Sequence, residues 1–311
     1  RYPQWSALGS GLLLQPISPI ARALCQFGPE LVVAGDFSSA GGVPAPGLAR
    51  WNGSAWSAFP DQTAASPWTL HVHQGDLYAG GYWQVPGGVT SVLRWNGSNW
   101  VTVGPNFPHD PVFALTTYQG KLIAGGWFAN CCSSNGPEPG EFIAAFDGAS
   151  WQPLGLGLGS RVTVLFPFDP DGPGPLPELL IAGGLFITTG SGLVVNHIAA
   201  WDGAQWSALG SGVNGEVKAL AVYNNQLAIG GDFTEAGGMS ALYFALYGCP
   251  QPPPCYPNCD ASTAQPILNI ADFVCFLNRF AAADPYANCD NSTTAPILNA
   301  LDFTCFLNQF A

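Results

Sequence analysis

Charge is scarce in this chain. Only 9% of its 311 residues are charged, with 8 Lys or Arg against 20 Asp or Glu. The resulting net charge of −12 excludes the basic footprint that nucleic-acid recognition needs, so no nucleic-acid partner is expected. Acidity of this kind suits divalent cations or plain solubility. No run of 18 apolar residues occurs, which leaves no candidate transmembrane segment. Also missing are a nucleophile elbow, a zinc-protease helix motif and a phosphate loop. Gly155-Leu156-Gly157-Leu158-Gly159-Ser160 has dinucleotide-loop spacing but follows a strand pattern and opens no helix. Arg1 is not an initiator Met, so the numbering is expected to begin after a removed signal peptide. Nine cysteines, several beside Pro and Asn in loops, fit an oxidising compartment. A secreted protein, extracellular or at the cell surface, is therefore expected.

What the chain has in quantity is Gly (39), Pro (28) and aromatic residues (13%), the composition of many short strands joined by many turns. One unit recurs as Trp51-Asn52-Gly53-Ser54-Ala55-Trp56, Trp95-Asn96-Gly97-Ser98-Asn99-Trp100, Phe146-Asp147-Gly148-Ala149-Ser150-Trp151 and Trp201-Asp202-Gly203-Ala204-Gln205-Trp206. Asn-Gly or Asp-Gly between apolar runs predicts an antiparallel hairpin, here with an aromatic residue on each side of the turn. A Gly-Gly-aromatic motif precedes each hairpin, its second glycine falling at 35, 81, 126, 184 and 231. The steps of 46, 45, 58 and 47 residues are those of propeller blades, each with room for four strands.

The first strands are predicted around Leu24–Phe27, Leu70–His73, Leu115–Tyr118, Leu165–Phe168 and Leu220–Tyr223. The second strands end in the Gly-Gly motif, and the hairpin supplies the third and fourth. The fifth repeat stops after its third strand at Tyr243–Gly248. Its missing piece lies at the other end, because Gln4-Trp5-Ser6-Ala7-Leu8-Gly9-Ser10-Gly11 repeats Gln205–Gly212 residue for residue. The fold class expected is mainly β, a five-bladed propeller over 1–248 closed by its N-terminal strand, plus a small α-helical C-terminal domain.

The Gly-Gly, aromatic, Trp order resembles the kelch repeat of bacterial propellers, over residues 1–248. The Trp-Asn/Asp-Gly hairpins and the five-blade count depart from kelch. The resemblance implies an interaction platform more than an activity, although one kelch group, similar to galactose oxidase, carries copper. Loops that do not repeat are the place to look for function. The loop at Asn130–Gly140, with Cys131-Cys132, shares a face with the between-blade loops and with Trp68, Phe107, His109 and Trp127, the candidate ligand face. Asp169–Pro177 lies on the opposite face and reads as a hairpin tip. His71-x-His73 has metal-site spacing, but His73 falls in the column of Phe27, Tyr118, Phe168 and Tyr223 and reads as packing. Eight of the eleven Trp fall in the hairpin columns, which leaves Trp68 and Trp127 for a carbohydrate or other ligand.

Residues 249–257 form a Pro-rich linker. Residues 258–311 then carry a duplication with a 30-residue step, each half an oxygen-rich loop before an amphipathic helix with Phe273, Phe276, Leu277 and Phe280 on one face. Calcium wants six to eight oxygens. Asp260, Ser262, the Ile267 carbonyl, Asn269 and Asp272 offer one set, and Asp290, Ser292, Thr294, the Ile297 carbonyl, Asn299 and Asp302 a second, for two ions in all. The loop is a residue too long for an EF-hand and lacks its turn glycine, so a disulfide-held hairpin without metal stands beside the calcium reading. The duplication looks like a type I dockerin, especially the Cys-containing tails of planctomycete secreted proteins, and that resemblance implies docking to another protein. Cys259/Cys275 and Cys289/Cys305 share a separation of 16, and one bridge per repeat is the simplest connectivity. Cys249 with Cys255 and Cys131 with Cys132 are further candidate pairs, leaving Cys25 as an odd buried thiol. The leading expectation is a non-enzymatic scaffold or adhesion protein whose tail docks onto a partner or onto another copy, head to tail. The rival is a carbohydrate-binding or galactose-oxidase-like enzyme anchored by the tail.

Overall fold

The computed structural model describes residues 6–14, 18–60, 65–85, 88–104, 110–128, 142–170, 176–248 and 270–281. Phe107, His109 and Cys131-Cys132 lie outside these residues, as do the linker and all of the duplicated tail except Ile270–Ala281. The protein is mainly β, built from consecutive antiparallel sheets. Four of them have four strands each, in simple chain order. The first is Ile20–Phe27, Glu30–Asp36, Leu48–Trp51 and Trp56–Ala58, and the second Ala65–His73, Asp76–Val85, Gly88–Trp95 and Trp100–Thr102. The third is Val112–Tyr118, Lys121–Gly126, Ile143–Phe146 and Trp151–Pro153, and the fourth Val162–Phe168, Leu179–Gly184, Ile198–Trp201 and Trp206–Ala208. A three-stranded sheet, Glu216–Tyr223, Gln226–Asp232 and Phe244–Tyr247, follows as the fifth.

The recurring hairpin has a common construction. Trp51 pairs with Trp56, Trp95 with Trp100, Phe146 with Trp151 and Trp201 with Trp206. The turn between them is four residues long. Its first residue accepts two backbone N–H groups on one side-chain oxygen, at 3.0 and 2.9 Å for Asn52 and 2.7 and 2.8 Å for Asp202. This is the Asx turn that makes Asn and Asp preferred here. The donors of Gln205 and Ala204, and at the third hairpin those of Ser150 and Ala149, hold the Asp202 and Asp147 carboxyls below the usual carboxylate range.

The core lies between consecutive sheets. Val32, Ala34 and Leu48 of the first meet Leu70 and Leu77 of the second. Tyr78 and Val92 of the second meet Val112, Leu115 and Leu122 of the third, and Ile123 and Ile143 of the third meet Val162 and Leu165 of the fourth. The Trp that opens each fourth strand ties these layers together. Trp151 Nε1 donates to the Val103 carbonyl at 2.8 Å, and Trp206 Nε1 to that of Leu154 at 3.1 Å. Trp100 differs, with a buried Nε1 that finds no acceptor and a ring stacked on Trp83.

The N-terminal segment fits this scheme. Trp56 Nε1 donates to the Leu8 carbonyl at 2.8 Å, which puts Leu8 where Leu154 stands for Trp206. Gly9 and Gly11 have φ of 60° and 74°, against 57° and 70° at Gly155 and Gly157 and 56° and 71° at Gly210 and Gly212. Leu12 pairs with Ala40 as Leu158 bridges Thr189 and Val213 bridges Ala236. Leu8–Leu12 therefore has the geometry of a segment that has just left a fourth strand. Trp5 and the residues before it lie outside the described set, Ser6–Leu8 are not in a strand, and no described strand pairs with the outer side of Phe244–Tyr247.

The chain divides into two compact units, one of Arg1–Phe168, Pro177–Leu220 and Ile229–Ala245, the other of Asp169–Leu176, Ala221–Ala228 and Leu246–Ala311. In the second, Gln226 Nε2 donates to the Gly248 carbonyl at 2.9 Å, and Ile270–Ala281 forms a helix. Phe273 and Phe280 on that helix are half-buried, while Leu277 is exposed. Among the described residues no helix is long and apolar enough to cross a membrane.

Candidate functional site

In the first unit, the first strands of all five sheets send side chains into one cavity of about 690 Å³. The residues two places before the repeated leucines line it: Arg22, Trp68, Phe113, Thr163 and Lys218. The leucines repeat, but this column does not.

The sequence produces this by a local device. Each of the first four sheets has a β-bulge in its first strand, where the register shifts between Ala21 and Ala23, Pro67 and Thr69, Val112 and Ala114, and Val162 and Val164. The residue inside each shift is the one that lines the cavity. A bulge inserts one extra residue and re-aims its side chain. The second glycine of the Gly-Gly motif makes room for it. A Cβ at Gly126 would lie 2.2 Å from the Pro111 carbonyl oxygen, one at Gly184 2.1 Å from that of Arg161, and one at Gly231 2.0 Å from that of Glu216. The first glycine has a different task. A Cβ at Gly125 would lie 2.6 Å from Val162 Cγ1, and one at Gly183 2.5 Å from Val217 Cγ1, both on the following sheet.

A ladder of cationic and aromatic groups runs around the cavity wall. The Arg22 guanidinium lies 3.7 Å from the Trp68 ring centre, and Trp68 meets Phe113 edge to face at 4.9 Å. The Arg161 guanidinium lies 5.6 Å from the Phe113 ring and 5.9 Å from that of Trp127, within cation–π range. Ion pairs brace the ladder. Arg22 pairs with Asp36 and Lys218 with Asp232. Arg161 Nη2 donates to Glu216 Oε1 at 2.6 Å, and Thr163 Oγ1 donates to the same oxygen at 2.9 Å. The Nε atoms of Arg22 and Arg161 are buried without an acceptor.

Of the candidate ligand face, Trp68 lines the cavity and Trp127 stands beside it, 59% exposed, with Arg161 close to its ring and to that of Phe113. Arg22, Phe113, Arg161, Thr163, Glu216 and Lys218 were not among the expected site residues, because their signal is an irregular column within regular strands rather than an irregular loop.

His71 and His73 meet at a hydroxyl. His71 Nε2 lies 2.8 Å and His73 Nδ1 2.9 Å from Thr117 Oγ1 on the third sheet, and His73 also packs edge-on against Tyr78. A hydroxyl donates to one neutral imidazole and accepts from the other, so the pair is satisfied without charge. Burial pushes both pKa values down, and at His71 the neighbouring His73 adds to it; burial does the same at His197. The unfolded chain then takes up protons that the folded one refuses. The histidine contribution is whole above the free imidazole value of about 6.5 and is lost as pH falls below it. Thermal melts between neutral pH and pH 5 are expected to show a falling midpoint. A flatter profile is expected when His71 and His73 are both replaced by Gln. Asp147 and Asp202, with lowered pKa values, act in a separate window, their contribution being lost only below the carboxylate range.

Cys25 is a free thiol, only half-buried where full burial was expected, and burial raises its pKa. Cys275 is disulfide-bonded. Its expected partner Cys259 lies outside the described residues, and so does the whole of the second expected bridge, Cys289 with Cys305. The same holds for Cys249 with Cys255 and for Cys131 with Cys132. Asp272 falls on the first turn of the helix. The other expected calcium ligands, Asp260, Ser262, Ile267 and Asn269 in the first loop and Asp290, Ser292, Thr294, Ile297, Asn299 and Asp302 in the second, lie outside the described residues.

No family model and no curated protein matches this chain. Among solved structures it is similar to YjhT, at 13% identity over 70% of this chain and 74% of that one, with a TM-score of 0.42. It is also similar to two computationally designed proteins, each at 15% identity. Ika8 matches over 73% of this chain and 70% of its own with a TM-score of 0.39, and Ika4 over 63% and 99% with a TM-score of 0.35.

Proposed function

We propose that this chain is a non-enzymatic extracellular recognition protein: a five-bladed propeller, closed by its N-terminal strand, that binds at one axial end and docks through its C-terminal tail. The observation that carries the binding reading is the cavity itself, where five first strands present five different side chains at one structural position. Repeated positions serve packing, and a position that is placed identically yet varies in chemistry serves recognition. Its charged groups are engaged with one another, as at Glu216 Oε1, which already accepts from both Arg161 and Thr163. Such pairs hold a shape for a ligand and leave that oxygen poorly placed to take a substrate proton.

Closure is supported by two exposed surfaces. Leu24 on the first sheet is 65% exposed, although its counterparts Leu70, Leu115 and Leu165 are buried. Phe244 on the fifth sheet is 58% exposed, although its counterparts Leu48, Ile143 and Ile198 are buried. A Cβ at Gly230 would meet nothing nearer than 3.7 Å, whereas at Gly125 and Gly183 the next sheet fills that space. These are the two halves of an interface that consecutive sheets already make four times. With residues 4–8 as its fourth strand, the fifth sheet completes it.

The tail is assigned on its sequence as a calcium-stabilised, dockerin-like module, with Asp260, Asn269, Asp272, Asp290, Asn299 and Asp302 among the ligands. Its partner is another protein or a second copy of this chain. Metal analysis after exhaustive dialysis is expected to give two calcium ions per chain, and a chelator to unfold the tail while the sheets keep their melting transition. A metal-free tail with an unchanged helical signal would remove calcium from the account. Sizing with and without chelator tests self-association, because a monomer in both conditions sinks head-to-tail assembly.

A further inference from the structure

We infer that the axial cavity takes a small carboxylate carried on a ring. The inference rests on the cavity being a binding site and adds the chemistry of its occupant. Three of the eight Lys and Arg residues in the chain, Arg22, Arg161 and Lys218, line this one cavity. The only carboxylate among the described lining residues is Glu216, and its Oε1 already takes two donors. What the wall has in excess is donors. The Arg22 and Arg161 side chains stay 22% and 26% exposed, so part of each is open to a ligand oxygen. Lys218 adds a third donor, since its pairing with Asp232 is largely exposed and such pairs are weak enough to exchange.

Asp36 and Asp232 stand behind Arg22 and Lys218, so the site as a whole is close to neutral. It is a neutral island in a chain of net charge −12. Long-range repulsion of an anion is screened beyond about 8 Å at physiological salt, so the short guanidinium contacts decide. They favour an acceptor-only group, because charge-assisted bonds from Arg to carboxylate are the strong ones. The rest of the cavity excludes a bare anion as the full occupant. Trp68, Phe113 and exposed Trp127 present aromatic surface, and about 690 Å³ holds a small molecule rather than an ion. A sugar acid and an aromatic acid share the needed chemistry, a planar carboxylate beside a ring.

Titration calorimetry with galacturonate and with benzoate tests this, with galactose, benzyl alcohol and inorganic sulfate as controls. At least one ring carboxylate is expected to bind saturably with Kd below about 1 mM, and at least tenfold tighter than its neutral counterpart and than sulfate. The winner identifies the source, saccharide or aromatic. Arg161→Gln is expected to weaken it at least tenfold. Lys218→Gln, at an exposed position that should not disturb folding, is expected to weaken it about threefold, which keeps the test alive if Arg161→Gln unfolds. Sulfate bound as tightly as the ring acids overturns the ring. A neutral compound that binds best and is lost in Arg161→Gln overturns the carboxylate while the binding reading survives. Silence from every compound overturns both.

Discussion

Deleting residues 1–7, with Leu8 left in place, is expected to lower the melting temperature by roughly 10–20 °C. Keeping Leu8 preserves the acceptor for Trp56 Nε1, so the loss reports the missing strand alone. Closure by that strand would bury Leu24 and Phe244, which are 65% and 58% exposed. Burying two side chains of this size contributes about 2 kcal/mol each, and the strand adds its ladder hydrogen bonds to the open edge of Phe244–Tyr247. The sum is on the order of 5 kcal/mol, and each kcal/mol moves the midpoint of a domain this size by about 2–4 °C. The truncated protein should also bind a hydrophobic dye, because it leaves a bare sheet face and a bare edge. A deletion that changes neither midpoint nor dye binding would make residues 1–7 a tail.

Gly184→Ala is expected to be among the more damaging conservative substitutions in the sheets, at about 3 kcal/mol. Its Cβ would stand 2.1 Å from the Arg161 carbonyl oxygen and 3.1 Å from the Thr163 nitrogen. Both are backbone atoms of a bulge and cannot rotate away. Gly125→Ala should cost less, because the nearest atom is a methyl of Val162 at 2.6 Å, which has some freedom to shift. The two variants also differ in function. Moving the bulge moves Arg161 and Thr163, so Gly184→Ala should lose ligand affinity even where it still folds. Gly125→Ala presses on the Val162 side chain, which can shift, and should cost less affinity than Gly184→Ala. Melting curves and calorimetry on the pair separate the two roles, and equal losses in both measurements would contradict them.

The contrast between those glycines shows what the sequence carries openly. The spacing of the Gly-Gly motifs and of the Trp-Asx-Gly hairpins marked the strands closely, because turn chemistry and cross-strand aromatic pairs are local. Glu216–Tyr223 contains the expected Leu220–Tyr223, and Phe244–Tyr247 lies one residue inside each end of the expected Tyr243–Gly248. The motif's meaning was harder to see. One glycine faces its own sheet's bulge and the other the next sheet, and only a register shift reveals which. The bulge hid the cavity for the same reason: its residue looks like any strand position until the pairing slips by one. Arg161 was harder still, since it precedes its strand and reaches the cavity beside Thr163. The segment Leu8–Leu12 was legible outright, because eight consecutive residues, 4–11, recur at 205–212. The tail was read by composition and spacing, and all of it outside Ile270–Ala281 lies beyond the described residues.

The central claim is that five sheets form one ring, closed by the N-terminal strand around the cavity. The other hairpins set the register. Ala58 opposes Ala49, Pro153 opposes Ala144 and Ala208 opposes Ala199, which places Ala7 opposite Ala245 in the closed ring. Facing residues of an antiparallel pair have Cα atoms about 4.5–5.5 Å apart, a span a disulfide bridges. In the Ala7→Cys/Ala245→Cys variant, peptide mapping under mild oxidation is the direct measurement. The account predicts a disulfide between positions 7 and 245 within a monomer, and a raised melting temperature. Two unlinked thiols in the folded protein, or a link found only between isotopically distinct copies, would contradict closure of the ring within one chain.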